Sequence, residues 1–270
     1  MSQPRFLCIG THHKTGTVWM RRTFHRFATS RDIPVVRVNG KSTPADLPER
    51  GPALVVNWSS DIPTAILDLP ETRALHMIRD PRDVLISGAR YHLTAKTGNE
   101  KWLARPRDQW GGMNYQEKIN SLTRPLDQMR FEMHHKHKAT LREMLRWPAG
   151  HPHVADVKYE DMIEDADMAR MRQIITDFDV EGFDVDGVLQ SYWEQSLFGG
   201  QKDGRKGNVK DHVKSGKAAQ WMRKLPLEIA VEYHAAYGDA LIKLGYATDG
   251  TWIDQCRPAA QVYADDAANV

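Results

Sequence analysis

The chain has 270 residues, of which 41% are hydrophobic and 27% charged, and its formal net charge is +2 at pH 7. This near balance excludes the broad basic surface that binds nucleic acid, and no stretch approaches the ~18 consecutive apolar residues of a membrane-spanning helix. The N-terminus lacks a signal-peptide pattern, and Cys8 and Cys256 are far apart, which argues against a disulfide framework. We therefore expect a cytoplasmic protein with no nucleic-acid partner and no transmembrane segment.

Short apolar runs predict five strands, near residues 5–10, 34–38, 53–57, 74–78 and 153–159. Helical patterns predict helices near residues 17–29, 62–69, 82–95, 115–147, 165–178 and 226–245. This alternation favours an α/β fold in a single domain over residues 1–250, with a central, mainly parallel sheet flanked by helices. The tail 251–270 has weak periodicity, and we expect it to be partly disordered.

The segment after the first strand has the composition of an anion-binding loop. It reads His12-His13-Lys14-Thr15-Gly16-Thr17-Val18-Trp19. A tight turn between a buried strand and a helix leaves backbone N–H groups at the helix N-terminus, where the helix dipole favours an anion. Lys14 adds a mobile positive charge, and Thr15 and Thr17 add hydroxyl donors. The segment predicts a P-loop-like loop that binds phosphate or sulfate.

The position of the lysine distinguishes this loop from an ATP-binding P-loop. In the pattern G-x-x-x-x-G-K-[ST] the lysine follows the second glycine, whereas Lys14 precedes Gly16 by two residues. Thr17 stands where that lysine would be. The usual kinase or GTPase signature is therefore absent.

A second motif follows the predicted strand 74–78. Pro81 cannot continue a central strand and suits the first turn of a helix, so Arg79 lies at the carboxyl end of the strand. Ligands of open α/β sheets bind outside the carboxyl ends of strands. The planar fork of Arg79 can bind two phosphate oxygens at once, and Ser87 follows about two helical turns later. Arg79 therefore lies where a ligand of such a sheet binds.

These motifs, K-[ST]-G-T-x-W after the first strand and an arginine with a serine eight positions later, resemble those of the sulfotransferases that use 3'-phosphoadenosine 5'-phosphosulfate (PAPS). Three later segments are similar to segments of that family and come in the same order. They are Val157–Met162, Ser196–Phe198 and Lys214–Trp221. The resemblance extends from about Phe6 to Tyr246, which is nearly the whole chain.

The resemblance implies which residues bind PAPS and its product 3'-phosphoadenosine 5'-phosphate (PAP). Backbone N–H groups of the loop would hold the 5'-phosphate, Arg79 and Ser87 the 3'-phosphate, and aromatic rings the adenine. The implied set is Lys14, Thr15, Gly16, Thr17, Val18, Trp19, Arg79, Ser87, Tyr159, Phe198, Lys214, Ser215 and Gly216. The last segment departs from the family pattern, because Lys214 replaces an arginine and supplies charge without bidentate geometry.

The expected activity is transfer of the sulfuryl group of PAPS to a hydroxyl or amine of a small acceptor by in-line displacement. Lys14 is the candidate catalytic cation, because charge develops on the bridging oxygen as its bond to sulfur breaks. We expect no metal ion, since no carboxylate pattern resembles a kinase magnesium site. The run His134–Lys138 lies in a predicted helix, where it favours a solvated basic face over a metal site.

The catalytic base has two interpretations at the sequence level. Many members of the family carry a histidine in a K-T-H-L-P segment, and Asp61-Ile62-Pro63 stands where H-L-P would. Asp61 is therefore the candidate base, although an aspartate before proline is also a common helix cap. His12, His13 and His92 are alternative bases.

Two other functions stay open on the sequence alone. One is a small-molecule or nucleotide kinase that uses ATP and magnesium. The other is a non-catalytic PAPS-binding protein, because the K-T-H segment is missing and the C-terminal loop is altered.

Overall fold

The computed structural model describes residues 3–96, 100–201 and 217–268, so the predicted ligands Lys214, Ser215 and Gly216 lie outside the described residues. The chain divides into two compact units. The first, here called the sheet unit, comprises residues 1–79 and 146–218. The second, the helical unit, comprises residues 80–145 and 219–270.

Five strands form one all-parallel sheet in the sheet unit, in the order β2-β3-β1-β4-β5. The strands are β1 (Phe6–Thr11), β2 (Val35–Arg37), β3 (Ala53–Asn57), β4 (Thr72–Ile78) and β5 (Val154–Lys158). Each of the five predicted strands is confirmed within two residues, and so is the parallel α/β class. Tyr159, predicted to end the last strand, instead begins a helix.

Twelve α-helices occur among the described residues. They are α1 (Thr17–Ser30), α2 (Thr64–Leu67), α3 (Pro81–Thr94), α4 (Tyr115–Asn120), α5 (Pro125–Glu132), α6 (Lys138–Arg146), α7 (Tyr159–Glu164), α8 (Ala169–Phe178), α9 (Val185–Gln195), α10 (Trp221–Lys224), α11 (Leu227–Lys243) and α12 (Ala259–Ala268). The sequence analysis did not predict α7, α9, α10 or α12.

Alternation along the central strand places apolar side chains on both faces of the sheet. Leu7 and Ile9 of β1 face a core built with α1, α8 and α9. Phe6 and Cys8 face the opposite side, where α2 and Trp147 cover the sheet. Both faces are therefore buried, as a parallel sheet requires.

The helical unit begins with a well-capped helix. The Asp80 side chain accepts a hydrogen bond from the backbone N–H of Arg82, and Pro81 occupies the first helical position of α3. The predicted helical stretch 115–147 is divided, because Pro125 starts a new helix and a π-helical turn spans Met133–His137. His137 is buried and hydrogen-bonded to the Tyr233 hydroxyl at 2.9 Å, so the prediction of a solvated basic face is wrong for that residue.

The stretch after residue 250 carries a 3₁₀ turn over Thr251–Gln255 and helix α12. Trp252 and Val262 from this stretch are buried. Cys8 and Cys256 are both buried free thiols. Among the described residues, no helix has both the length and the apolar character that crossing a bilayer requires.

Candidate anion-binding site

The predicted loop lies between β1 and α1, in the sheet unit. Gly16 caps α1 with a left-handed backbone (φ 102°), and Lys14 also has a positive φ of 65°. In the described structure no side chain caps this helix, and its first turn contains no acidic residue. A helix N-terminus of this kind favours an anionic ligand, and the binding of phosphate or sulfate here stays a prediction.

Gly16 is required by both its backbone conformation and its surroundings. A Cβ at this position would lie 2.9 Å from Met77 Sδ and 3.1 Å from Tyr159 Cδ2. Any larger residue would collide with β4 or with the start of α7, in addition to the strain of a positive φ. This close packing brings Tyr159 against the loop.

The threonine hydroxyls hold the loop together. The Thr15 side chain is fully buried, and its hydroxyl accepts a hydrogen bond from the His12 backbone N–H at 2.8 Å. The Thr17 hydroxyl donates to the His12 carbonyl oxygen at 2.7 Å. Both were predicted as donors to the anion, and the structure gives each of them a contact within the loop.

Arg79 lies beside the loop, at the carboxyl end of β4. It is 6% exposed, and its guanidinium donates to the carbonyl oxygens of Lys14 (3.3 Å) and Lys217 (3.2 Å). The same group stacks over the Tyr159 ring, with 4.5 Å from Cζ to the ring centroid. The buried Arg79 side chain is thus attached to the loop backbone at Lys14, and phosphate binding by either residue stays a prediction. Ser87, half-buried, lies on α3 of the helical unit.

The aromatic residues that the sequence assigned to adenine pack against one another. Trp19 stacks on Tyr192 with ring centroids 4.6 Å apart, and its indole N–H donates to the Tyr192 carbonyl oxygen at 3.4 Å. Phe198 contacts Trp19 edge-on, with centroids 5.8 Å apart. Trp19 and Phe198 do not form a parallel slot in this structure, because Tyr192 covers one face of the indole.

Sequence reasoning missed Tyr192. A signal was present, because Val185, Val188, Leu189 and Tyr192 follow the i, i+3, i+4, i+7 spacing of a buried helix face. Val188, Leu189 and Tyr192 are indeed buried on α9.

Asp61 is an exposed residue in the segment after β3. Its Oδ2 accepts the Gly40 backbone N–H at 2.7 Å, and its own N–H donates to Asn57 Oδ1 at 2.9 Å. Helix α2 starts at Thr64 with Pro63 as its cap, so the alternative interpretation of Asp61 as a helix cap is wrong. The carboxylate ties the loop after β2 to the loop after β3.

The fold resembles that of solved sulfotransferases. No family model matches the chain, and no curated protein matches its sequence. Retinol dehydratase in complex with retinol and PAP matches with a TM-score of 0.52 at 15% identity, over 89% of this chain and 82% of the other. Mouse sulfotransferase SULT7A1 complexed with PAP matches with a TM-score of 0.50 at 11% identity, over 94% of this chain and 89% of the other. The chain therefore has a sulfotransferase-like α/β fold.

Proposed function

We propose that this protein is a sulfotransferase that moves the sulfuryl group of PAPS to a hydroxyl or amine of a small acceptor. One observation supports this most directly. The N-terminus of α1, which no side chain caps, lies in the same unit as Lys14 and the buried Arg79, and Arg79 donates to the Lys14 carbonyl oxygen. The sulfotransferase-like fold supports the same conclusion, since structures with this fold bind PAP.

The loop residues suit the 5'-phosphate end of PAPS. The backbone N–H groups from Gly16 to Trp19 would hold the phosphate, whereas the Thr15 N–H donates to the His12 carbonyl oxygen within the loop. Arg79 and Ser87 would bind the 3'-phosphate. Tyr159, Trp19 and Phe198 would contact the adenine, and Lys214, Ser215 and Gly216 would close the phosphate site.

PAPS, when bound, supplies the sulfuryl group and leaves as PAP. Lys14 stabilises the negative charge that develops on the bridging oxygen while the bond from sulfur to that oxygen breaks and the bond to the acceptor forms. Asp61 is the proposed base that takes the acceptor proton. No metal ion is part of this proposal.

The acceptor is proposed to be a small molecule. Retinol and androsterone, bound in the two retinol dehydratase complexes, are both small alcohols. A hydroxyl acceptor is therefore the first class to screen, followed by amines.

The test is a thermal shift of the wild-type protein with PAP, AMP and ATP with magnesium. A ligand at one hundred times its Kd stabilises by about 2.7 kcal/mol, which raises Tm by about 5 °C or more for a chain of this size. PAP should stabilise more than AMP, which lacks the 3'-phosphate. Stabilisation by ATP with magnesium alone would favour a kinase, and no stabilisation would refute PAPS binding.

A transfer assay then separates an enzyme from a non-catalytic binder. PAPS is incubated with a panel of alcohols, phenols and amines, and PAP release is measured with each acceptor. Acceptor-dependent release that Lys14→Ala abolishes supports the enzyme. Binding of PAP without transfer to any acceptor would contradict catalysis and leave a PAPS-binding protein.

A further inference from the structure

A row of paired positions crosses three strands of the sheet next to the anion-binding loop. Gly10 of β1 is in register with His76 of β4, and His76 with Asp156 of β5. His12 lies directly after the end of β1, and its ring contacts His76 edge-on, with ring centroids 5.1 Å apart. His12 and His76 are almost completely buried, whereas the Asp156 side chain is 32% exposed.

Hydrogen bonds join these side chains into one chain. Asp156 Oδ1 lies 2.8 Å from His76 Nδ1, and His76 Nε2 lies 2.9 Å from His12 Nε2. Trp147 donates its indole N–H to the same Asp156 oxygen at 2.9 Å and stacks on the His76 ring at 4.1 Å. The Gly150 N–H donates to the other Asp156 oxygen at 3.1 Å.

The environment fixes the protonation of the chain at neutral pH. Burial lowers the pKa of His76 to about 4, so its imidazole is neutral. Burial alone would raise the pKa of Asp156, but hydrogen bonds from His76 and Gly150 hold it below its ordinary value. His76 therefore donates its Nδ1 proton to the carboxylate and accepts through Nε2, which makes His12 the donor of the second bond.

His12 is also the residue to which the loop backbone is attached. Its carbonyl oxygen accepts the Thr17 hydroxyl at 2.7 Å and the Thr15 backbone N–H at 3.1 Å. Its own N–H donates to the Thr15 hydroxyl at 2.8 Å. A fixed His12 therefore fixes the turn that contains Lys14.

We propose that His76 and Asp156 are positioning residues of the anion-binding loop, acting through His12 on the loop that binds the 5'-phosphate end of the nucleotide. The inference rests on the proposed function and adds a role for a polar chain that the sequence motifs do not contain. From their places on β4 and β5, His76 and Asp156 hold the loop in shape through His12.

Two substitutions at His76 separate hydrogen bonding from packing. His76→Phe keeps a ring to stack on Trp147 but removes both hydrogen bonds. His76→Gln removes the ring but keeps one donor and one acceptor. The control is His153→Phe, which removes a half-buried histidine just before β5 whose Nδ1 lies 3.0 Å from the Leu67 carbonyl oxygen.

Calorimetric titration with PAP measures the effect. His76→Phe should bind PAP about tenfold more weakly, the factor that corresponds to one lost buried hydrogen bond of ordinary strength, and His76→Gln should stay within about threefold of wild type. The PAP affinity of Asp156→Asn should lie between those of the two His76 variants. Its amide oxygen can still accept from His76, but its NH₂ group would face the Gly150 N–H, which is also a donor. His153→Phe should bind as wild type does.

Hydrogen exchange of the loop amides distinguishes a local change in the loop from a general loss of structure, since both would lower PAP affinity. Faster exchange confined to residues 12–19 in His76→Phe supports the proposal, whereas uniform loss of protection in a weakly binding variant overturns it. Wild-type affinity in His76→Phe also overturns it. Absence of PAP binding by the wild type would refute the proposed function itself, and this inference with it.

Discussion

The buried polar groups of the two units serve different purposes. In the sheet unit, the Arg79 guanidinium donates to the Lys14 carbonyl oxygen of the loop, and the buried His12 side chain, bonded to His76, belongs to the loop itself. In the helical unit, the Glu132 carboxylate is 1% exposed and binds other side chains, His92 Nδ1 at 2.6 Å and the Tyr115 hydroxyl at 2.7 Å. We expect the network attached to the loop to affect ligand binding, and the network around Glu132 to stabilise packing. Substitutions in the first should change binding or catalysis, and substitutions in the second should change stability.

The largest effect is expected for Lys14→Ala. Loss of a cation that acts on charge developing in the transition state should lower kcat about 100- to 1000-fold in the PAPS-dependent transfer assay. The free energy of unfolding should change little, because Lys14 is half-buried at a loop surface. Lys41→Ala, an exposed lysine in the loop after β2, is the control and should keep full activity. Unimpaired turnover by Lys14→Ala would remove the catalytic role.

The second effect tests the helical unit. Glu132→Gln removes a buried charge that accepts two hydrogen bonds and should lower the free energy of unfolding by about 3 kcal/mol, measured by urea denaturation. PAP affinity should stay within about twofold. Glu117→Gln makes the same chemical change at an exposed capping box, where glutamine serves equally well, and should be neutral. A large loss of PAP affinity in Glu132→Gln would contradict the expectation that this network affects stability and not binding.

The third effect concerns nucleotide affinity. Arg79→Ala removes a buried guanidinium proposed to bind the 3'-phosphate and should cost about 2 kcal/mol of PAP binding, or about 30-fold in Kd by calorimetry. The matched control is Arg73→Ala at the other end of β4, where the guanidinium also donates to backbone carbonyl oxygens. Equal losses in the two variants would mean that Arg79 has only a structural role.

The smallest effect is a pH dependence shared by both units. Burial lowers the pKa of His76 in the sheet unit and of His137 in the helical unit to about 4. The unfolded chain takes up these protons near pH 6.5, so stability is full above that pH and falls as the pH drops toward 4. Each histidine should account for a loss of about 1 kcal/mol at pH 5.5.

Denaturation at pH 7.5 and pH 5.5 measures this loss. His76→Phe and His137→Phe should each reduce the pH dependence by a similar amount, since neither variant can take up the proton. Only His76→Phe should also weaken PAP binding at pH 7.5. A pH dependence unchanged in either variant would show that the histidine is not held neutral.

The two units also differ in how well the sequence predicted them. Each strand of the sheet unit is a short apolar run that needs no distant partner to be recognised, and the loop and Arg79 lie where their motifs placed them. In the helical unit the pattern over 115–147 predicted helix but not its division. Pro125 explains one break. The π-helical turn contains His137, which is bonded to Tyr233, 96 residues away along the chain, and no local pattern predicts that contact.

Local residue order by itself determined the α/β class, the five strands and the turn between β1 and α1, because hydrophobic periodicity and a glycine in the left-handed region act over a few residues. Only the tertiary structure decided which side chains meet across strands and helices. It stacked Trp19 on Tyr192, turned the Thr15 and Thr17 hydroxyls to His12, and aligned His76 with Asp156 through the register of β4 and β5. These contacts join residues distant in sequence, so no local pattern contains them.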